Sequence, residues 1–178
     1  KILACTDGLT GLYNRRHFFE LADRELHAAI RHQHSLTFLM FDMDGFKQIN
    51  DALGHISGDN LLKIVAQTAI AQVRASDVVA RYGGDEFIIM LPHASAQQAL
   101  PVAERIRARV AAIRMDAFRA NNEPYIVTLS IGIAEARLAP PDENAEHVIQ
   151  RADEALYQAK QSGRNRTVIF GQAETGAT

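Results

Sequence analysis

The chain has 178 residues, 47% of them hydrophobic and 22% charged. That is enough apolar material for one packed core, and the length leaves little room for a second domain. A formal net charge of −2 excludes the basic footprint of a general nucleic-acid binder. Cys5 is the single cysteine, so no intrachain disulfide can form, and a reducing compartment fits. The longest apolar run, near Leu36 to Phe41, falls far short of the ~18 residues that a membrane span needs, and no signal-peptide pattern is present. The chain starts at Lys1 and enters a motif almost at once, which reads as a segment of a longer protein. A sensor or membrane anchor is expected upstream.

In chain order, the alanine- and charge-rich segment from about Arg15 to His32 predicts a helix. Ser35 to Met43 is a β-rich apolar run and predicts a buried strand. Ser57 is placed to cap a helix carrying Leu61, Ile64, Val65, Thr68 and Gln72. Asp77 to Pro92 holds two β-rich runs around Gly83-Gly84 and predicts a hairpin, with the glycines supplying positive φ at the turn. Ser95 caps the next helix, through Ala99, Ala103, Ile106 and Val110. Asn121-Asn122-Glu123-Pro124 reads as a turn and Tyr125 to Ala134 as a strand. Pro140-Pro141 interrupts the chain before a last helix from about Ala145, stopped by Gly163. Thr167 to Phe170 reads as a short final strand, and 171–178 as a disordered tail after one domain over 1–170. The order points to an α/β (α+β) fold with a mostly antiparallel sheet covered by helices. It resembles a polymerase palm more than a doubly wound sheet.

The first long strand ends in Phe41-Asp42-Met43-Asp44, so Asp42 and Asp44 share one face. Carboxylates there suit a hard cation that keeps places open for phosphate, and the plainer reading is a pair of solvated acids. Asp85 and Glu86 follow the glycine pair. If the hairpin lies beside the first strand, acids from two strands can hold metals for in-line displacement at phosphorus. Lys47 supplies nearby positive charge. Lys160 and Arg164 are read at the end of the last helix, one turn apart and so on one face, with Arg166 close by. Basic residues also favour helix C-termini through the dipole, which is the plainer account. No P-loop pattern is present, the seven histidines show no metal spacing, and His55 reads as structural in a glycine-rich turn.

These residues resemble a known family. Gly83-Gly84-Asp85-Glu86-Phe87 is the signature of GGDEF domains, the diguanylate cyclases. Asp7 to Arg16, Asp42 to Asp51, Gly54-His55, Gly58-Asp59, Ser130 to Ala134, Ala152 to Lys160 and Gly163-Arg164-Asn165 resemble further family motifs, in order along nearly the whole chain. The resemblance implies condensation of two GTP into cyclic di-GMP across a homodimer, with Mg2+ or Mn2+ as the metal. Asp42, Asp85, Glu86 and the Met43 carbonyl would hold the metal, and Glu86, Asp85 and Lys47 would carry the catalysis. Lys47, Lys160, Arg164 and the amides around Gly45 and Phe46 would hold phosphates, beside the Gly83-Gly84 turn. Asn50 and Asp59 would read the guanine edge and favour GTP over ATP. Arg74 and Asp77, with Arg105 from the next helix, resemble a product-binding inhibitory site; a solvated Arg–Asp turn is the plainer reading. A non-catalytic receptor for GTP or cyclic di-GMP is the competing function, and a cyclase that also accepts ATP is a further one. No polymeric nucleic acid and no membrane contact by this segment are expected.

Overall fold

The computed structural model of the chain describes residues 5–113, 115–120, 123–139 and 143–172. In order they form β1 (Tyr13–Asn14), α1 (Arg15–His32), β2 (Leu36–Met43), α2 (Phe46–Leu53), α3 (His55–Ile70), β3 (Val78–Arg81) and β4 (Glu86–Pro92). Then follow α4 (Ala96–Ala111), β5 (Met115–Ala120), β6 (Glu123–Tyr125), β7 (Leu129–Glu135), α5 (Ala145–Gln161) and β8 (Thr167–Ile169).

β2 is buried along its whole length because it runs through the middle of the sheet with helices on both faces. The strand order is β1-β3-β4-β2-β7-β8, with β5 and β6 paired apart. β2 lies antiparallel to both β4 and β7, and β3 antiparallel to β4. Only the outer pairs β1–β3 and β7–β8 are parallel. The mostly antiparallel, helix-covered sheet expected from the sequence is therefore the observed fold.

Strand alternation sorts the core into two layers. Leu39, Phe41, Phe87, Ile89 and Ile131 face α3 and α4, meeting Leu61, Val65, Ala103 and Ile106. Phe38, Met40, Ile88, Met90 and Ala134 face α1 and α5, meeting Phe18, Leu26, Val148 and Leu156. Asp42 continues the second row, so its carboxyl emerges on the α1–α5 side.

Several local expectations change. The helix expected after Ser57 begins at His55, with Gly54 at its N-cap, so Ser57 lies in the first turn and His55 is helical. α2 was not read from the sequence: Gly45, at φ 72°, turns the chain into it directly after the acidic strand end. The segment read as one strand from Tyr125 divides, because Tyr125 pairs with Met115 in β6 while β7 starts at Leu129. The helix does not continue to Arg164. α5 ends at Gln161, and Gly163, Arg164 and Asn165 all have positive φ. The Gly83-Gly84 turn is real, but neither glycine has positive φ. Ser95 caps α4 in a full capping box with Gln98, as expected. Asn121, Asn122, Pro140, Pro141 and 173–178 lie outside the described residues.

α5 rests directly on β7 at Gly132. A methyl group there would run into the Ala152 carbonyl, the Leu156 amide and the Ala155 carbonyl carbon, all of them backbone. Backbone cannot rotate away as a side chain can. Gly132→Ala is expected to destabilise the fold by at least about 1–3 kcal/mol, the usual cost of overpacking. Chemical denaturation of the two proteins measures it, and an unchanged midpoint would contradict this packing.

Candidate active site

The β2–β4 register sets Asp42 opposite Glu86. Asp85 precedes Glu86 in the turn, so three acids gather where the two strands end. Asp42 is only 8% exposed. Its carboxyl is pushed up to about 6, first by burial and then by the negative charges of Asp85 and Glu86. Lys160, reaching over from the last turn of α5, works against this. Its Nζ donates to Asp42 Oδ2 at 2.5 Å.

Asp44, read with Asp42 as a possible ligand, is committed elsewhere. It accepts from Thr128 Oγ1 and Ser130 Oγ at 2.7 Å each and from the Asn165 amide at 3.1 Å. That carboxylate fastens β7 and the 163–165 loop to the end of β2. Lys160, expected at the phosphates, here donates to Asp42. Arg164 is exposed beyond the helix end rather than stacked one turn above Lys160.

The glycine turn is shaped by Glu86. The Glu86 side chain folds back over Gly83, its carboxylate lying where a methyl would sit, while Gly84 borders open space. Arg81 holds the turn from outside. It donates to the carbonyls of Gly83 and Gly84, at 3.1 Å from Nε to each and 2.6 Å from Nη2 to Gly84. Its Nη1 meets both oxygens of Asp7 at 3.2 Å. Asp7 in turn accepts from the Thr10 amide and hydroxyl. Burial raises the Asp7 pKa, but those Thr10 bonds and Arg81 outweigh it and hold the group below its usual value. The role of Arg81 was missed from the sequence. Asp7 and Thr10 are legible as a local turn, but nothing local links them to residue 81.

Further residues singled out in the sequence lie on α2 and α3. Lys47 is exposed in the first turn of α2, behind Gly45 and Phe46. No side chain caps α2, so its first amides are open to an anion. Asn50 packs on Gly58, where a methyl would collide with the Asn50 amide oxygen and the Phe46 ring. That oxygen is buried and, among the described residues, is the one buried side-chain polar atom without a hydrogen-bond partner. Asp59 is exposed nearby on α3.

Arg74 and Asp77 sit on the far side of the β3–β4 hairpin. Asp77 Oδ2 accepts from the Arg74 amide at 2.7 Å, which closes the turn and leaves the Arg74 side chain exposed. Arg105 is bonded to Gln72, donating to its side chain at 3.1 Å and its carbonyl at 2.7 Å. Gly11, Tyr13, Ile70, Val73, Arg74 and Asp77 line an open groove of about 470 Å³.

Comparison with known proteins agrees with this geometry. The family model "Diguanylate cyclase, GGDEF domain" matches residues 4–166. Diguanylate cyclase DosC of Escherichia coli (strain K12) is 47% identical over 164 residues, which is 92% of this chain and 35% of DosC. Response regulator PleD of Caulobacter vibrioides is 40% identical over 93% of this chain and 36% of PleD. The GGDEF domain of DgcB from Caulobacter crescentus, solved in complex with c-di-GMP, superposes with a TM-score of 0.87 at 35% identity. That match covers 95% of this chain and 97% of the other. The chain belongs to the GGDEF-domain family of diguanylate cyclases. It spans about a third of the length of DosC and PleD. No described helix is long and apolar enough to cross a membrane.

The raised pKa of Asp42 makes folding pH-dependent. Between 3.8 and about 6 the folded chain keeps a proton that the unfolded chain has released. This contribution is fully present at low pH and is lost as pH rises through about 6. In chelator, the melting temperature of Asp42→Asn minus that of the parent is expected to grow from about pH 4 to about pH 7. A difference that stays flat over this range would remove the electrostatic account of the site.

Proposed function

We propose that this domain is a diguanylate cyclase that joins two GTP molecules into cyclic di-GMP and releases two pyrophosphates. The observation that carries this reading is the pairing of Asp42 with Glu86 across two strands, with Asp85 beside them and one lysine to offset three acids. Such a cluster of hard oxygen donors, negative enough to hold a proton on Asp42 near pH 6, fits a divalent cation. Asp42, Asp85, Glu86 and the Met43 carbonyl would hold it, as Mg2+ or Mn2+. When bound, that ion supplies charge stabilisation at the phosphorus and acidifies the attacking hydroxyl.

The chain's own groups account for the rest. Lys47, the amides after Gly45, Arg164 and a Lys160 released from Asp42 would neutralise the β- and γ-phosphates. The unpartnered Asn50 oxygen and the exposed Asp59 are acceptors for guanine N1–H and its amine. Adenine has no such donor pair, which favours GTP. Glu86, folded over Gly83, lies at the strand end to take the proton from the 3′-hydroxyl. That oxygen bonds to the α-phosphorus of the second GTP, the bond to pyrophosphate breaks, and a second transfer closes the ring. Each domain binds one GTP, so two domains must face each other, and turnover requires a homodimer. The Arg81–Asp7 contact is a positioning device that keeps the acids of the turn in register with β2.

Glu86→Gln is expected to keep the fold and lose about 10²–10³ in turnover, as for removal of one charge-stabilising group. Cyclic di-GMP formation from GTP and Mg2+, with Asp85→Ala as a dead control, measures this. Specific activity that rises with protein concentration is the expected sign of a working dimer. Binding of GTP with no product at any concentration would favour a receptor instead.

The Arg74, Asp77 and Arg105 cluster is proposed as a product-binding inhibitory site, supported by its exposed guanidinium beside a groove. Arg74→Ala is expected to retain activity and lose inhibition by added cyclic di-GMP. Equal inhibition of variant and parent would reject this site.

A further inference from the structure

At the other end of the β2–β4 ladder lies a cluster with no part in the chemistry above. Glu25 on α1, His34 just before β2 and His93 just after β4 each offer a ligand atom, and these atoms lie within 4.8 Å of one another. Among the described residues this is the one such group of three. Leu36 pairs with Pro92 here, six residues from the Asp42–Glu86 pair, so the two sites are roughly 20 Å apart along the strands.

We propose that Glu25, His34 and His93 bind one transition-metal ion of the zinc class. Two imidazoles and one carboxylate match the nitrogen-rich preference of zinc, and of cobalt or nickel, and not the all-oxygen preference of magnesium. Three protein ligands leave a fourth position for water.

The local structure builds this arrangement. Gln33 ends α1 with φ 54°, and the chain turns back so that the His34 amide donates to the Ala29 carbonyl at 3.2 Å. That brings His34 Nε2 to 3.8 Å from Glu25 Oε1. His93, at φ 57°, sets its ring against that of His34, with centroids 3.9 Å apart and planes at 33°. His34 Nδ1 lies 3.3 Å from the Ser35 carbonyl. The tautomer with Nδ1–H directed at that carbonyl turns the Nε2 lone pair toward the Glu25 carboxylate. A cation satisfies both groups and the His93 nitrogen together. The carbonyl contact is the outer-shell bond that commonly orients a metal-ligating histidine. Zinc–nitrogen bonds of about 2.0–2.1 Å require the donors to close in by a small side-chain rotation. His93 is exposed, which leaves an entry path. A bound ion would staple α1 to both strands at the end away from the acids.

The test is a titration of the untagged chain with Co2+ in excess Mg2+, read by visible absorption. The parent is expected to bind one equivalent with the intense bands of a nitrogen-ligated, low-coordinate cobalt ion. His93→Ala and His34→Ala are expected to weaken binding at least about tenfold, while Asp42→Asn leaves it unchanged. Zn2+ should displace the cobalt and raise the melting temperature of the parent but not of His93→Ala. If His34→Ala does not fold, the surface variant His93→Ala decides alone. No saturable spectrum, an identical spectrum in His93→Ala, or loss of it in Asp42→Asn would each overturn the proposal. In the last case cobalt is held by the catalytic acids.

Discussion

The antiparallel pairing of β2 with β4 governs the rest of the molecule. Its register brings Asp42 opposite Glu86. A slip of one residue would turn Asp42 toward α3 and α4 and bring Phe41 to face Lys160 in its stead. Such a slip is blocked because both strands are buried on both faces, and each face has its own helical layer to match. Phe41 and Phe87, paired in the ladder, stack with ring centroids 5.2 Å apart and add a shape lock one step inside the acids. Packing of apolar side chains therefore sets the geometry of charged ones.

That geometry is electrostatically loaded. Asp42 is buried among acids, and only Lys160 offsets it. Asp44, two residues on, is satisfied by two hydroxyls and an amide. The same strand end thus carries one carboxylate that welds the scaffold and one left in excess of its partners. Excess negative charge in a semi-buried pocket costs stability. The turn bearing Asp85 and Glu86 tolerates this repulsion because Arg81 clamps its carbonyls and anchors on Asp7. Asp7 is therefore linked to the glycine turn through a single guanidinium.

Sheet and helices are arranged so that both ends of one ladder are chemically distinct. Acids collect at the end where β2 stops and β4 begins, and imidazoles at the end where β2 begins and β4 stops. A rigid, doubly buried strand pair connects them.

The sequence alone determined the long elements, the family and the identity of the acids. Arg15–His32, the apolar run ending at Met43, the hairpin and the Ser95 cap follow from periodicity and capping chemistry, which are local. Family motifs are contiguous strings, so they were legible in the same way. Other features depended on contacts between distant segments. The split of the segment after Tyr125 follows from pairing with β5. Lys160 lies on Asp42, Arg81 on Asp7, and Glu25 beside two histidines, because the fold joins positions whose spacing in the chain carries no signal. Backbone propensity and hydrophobic period act over a few residues, while electrostatic partnership is decided only when the layers close.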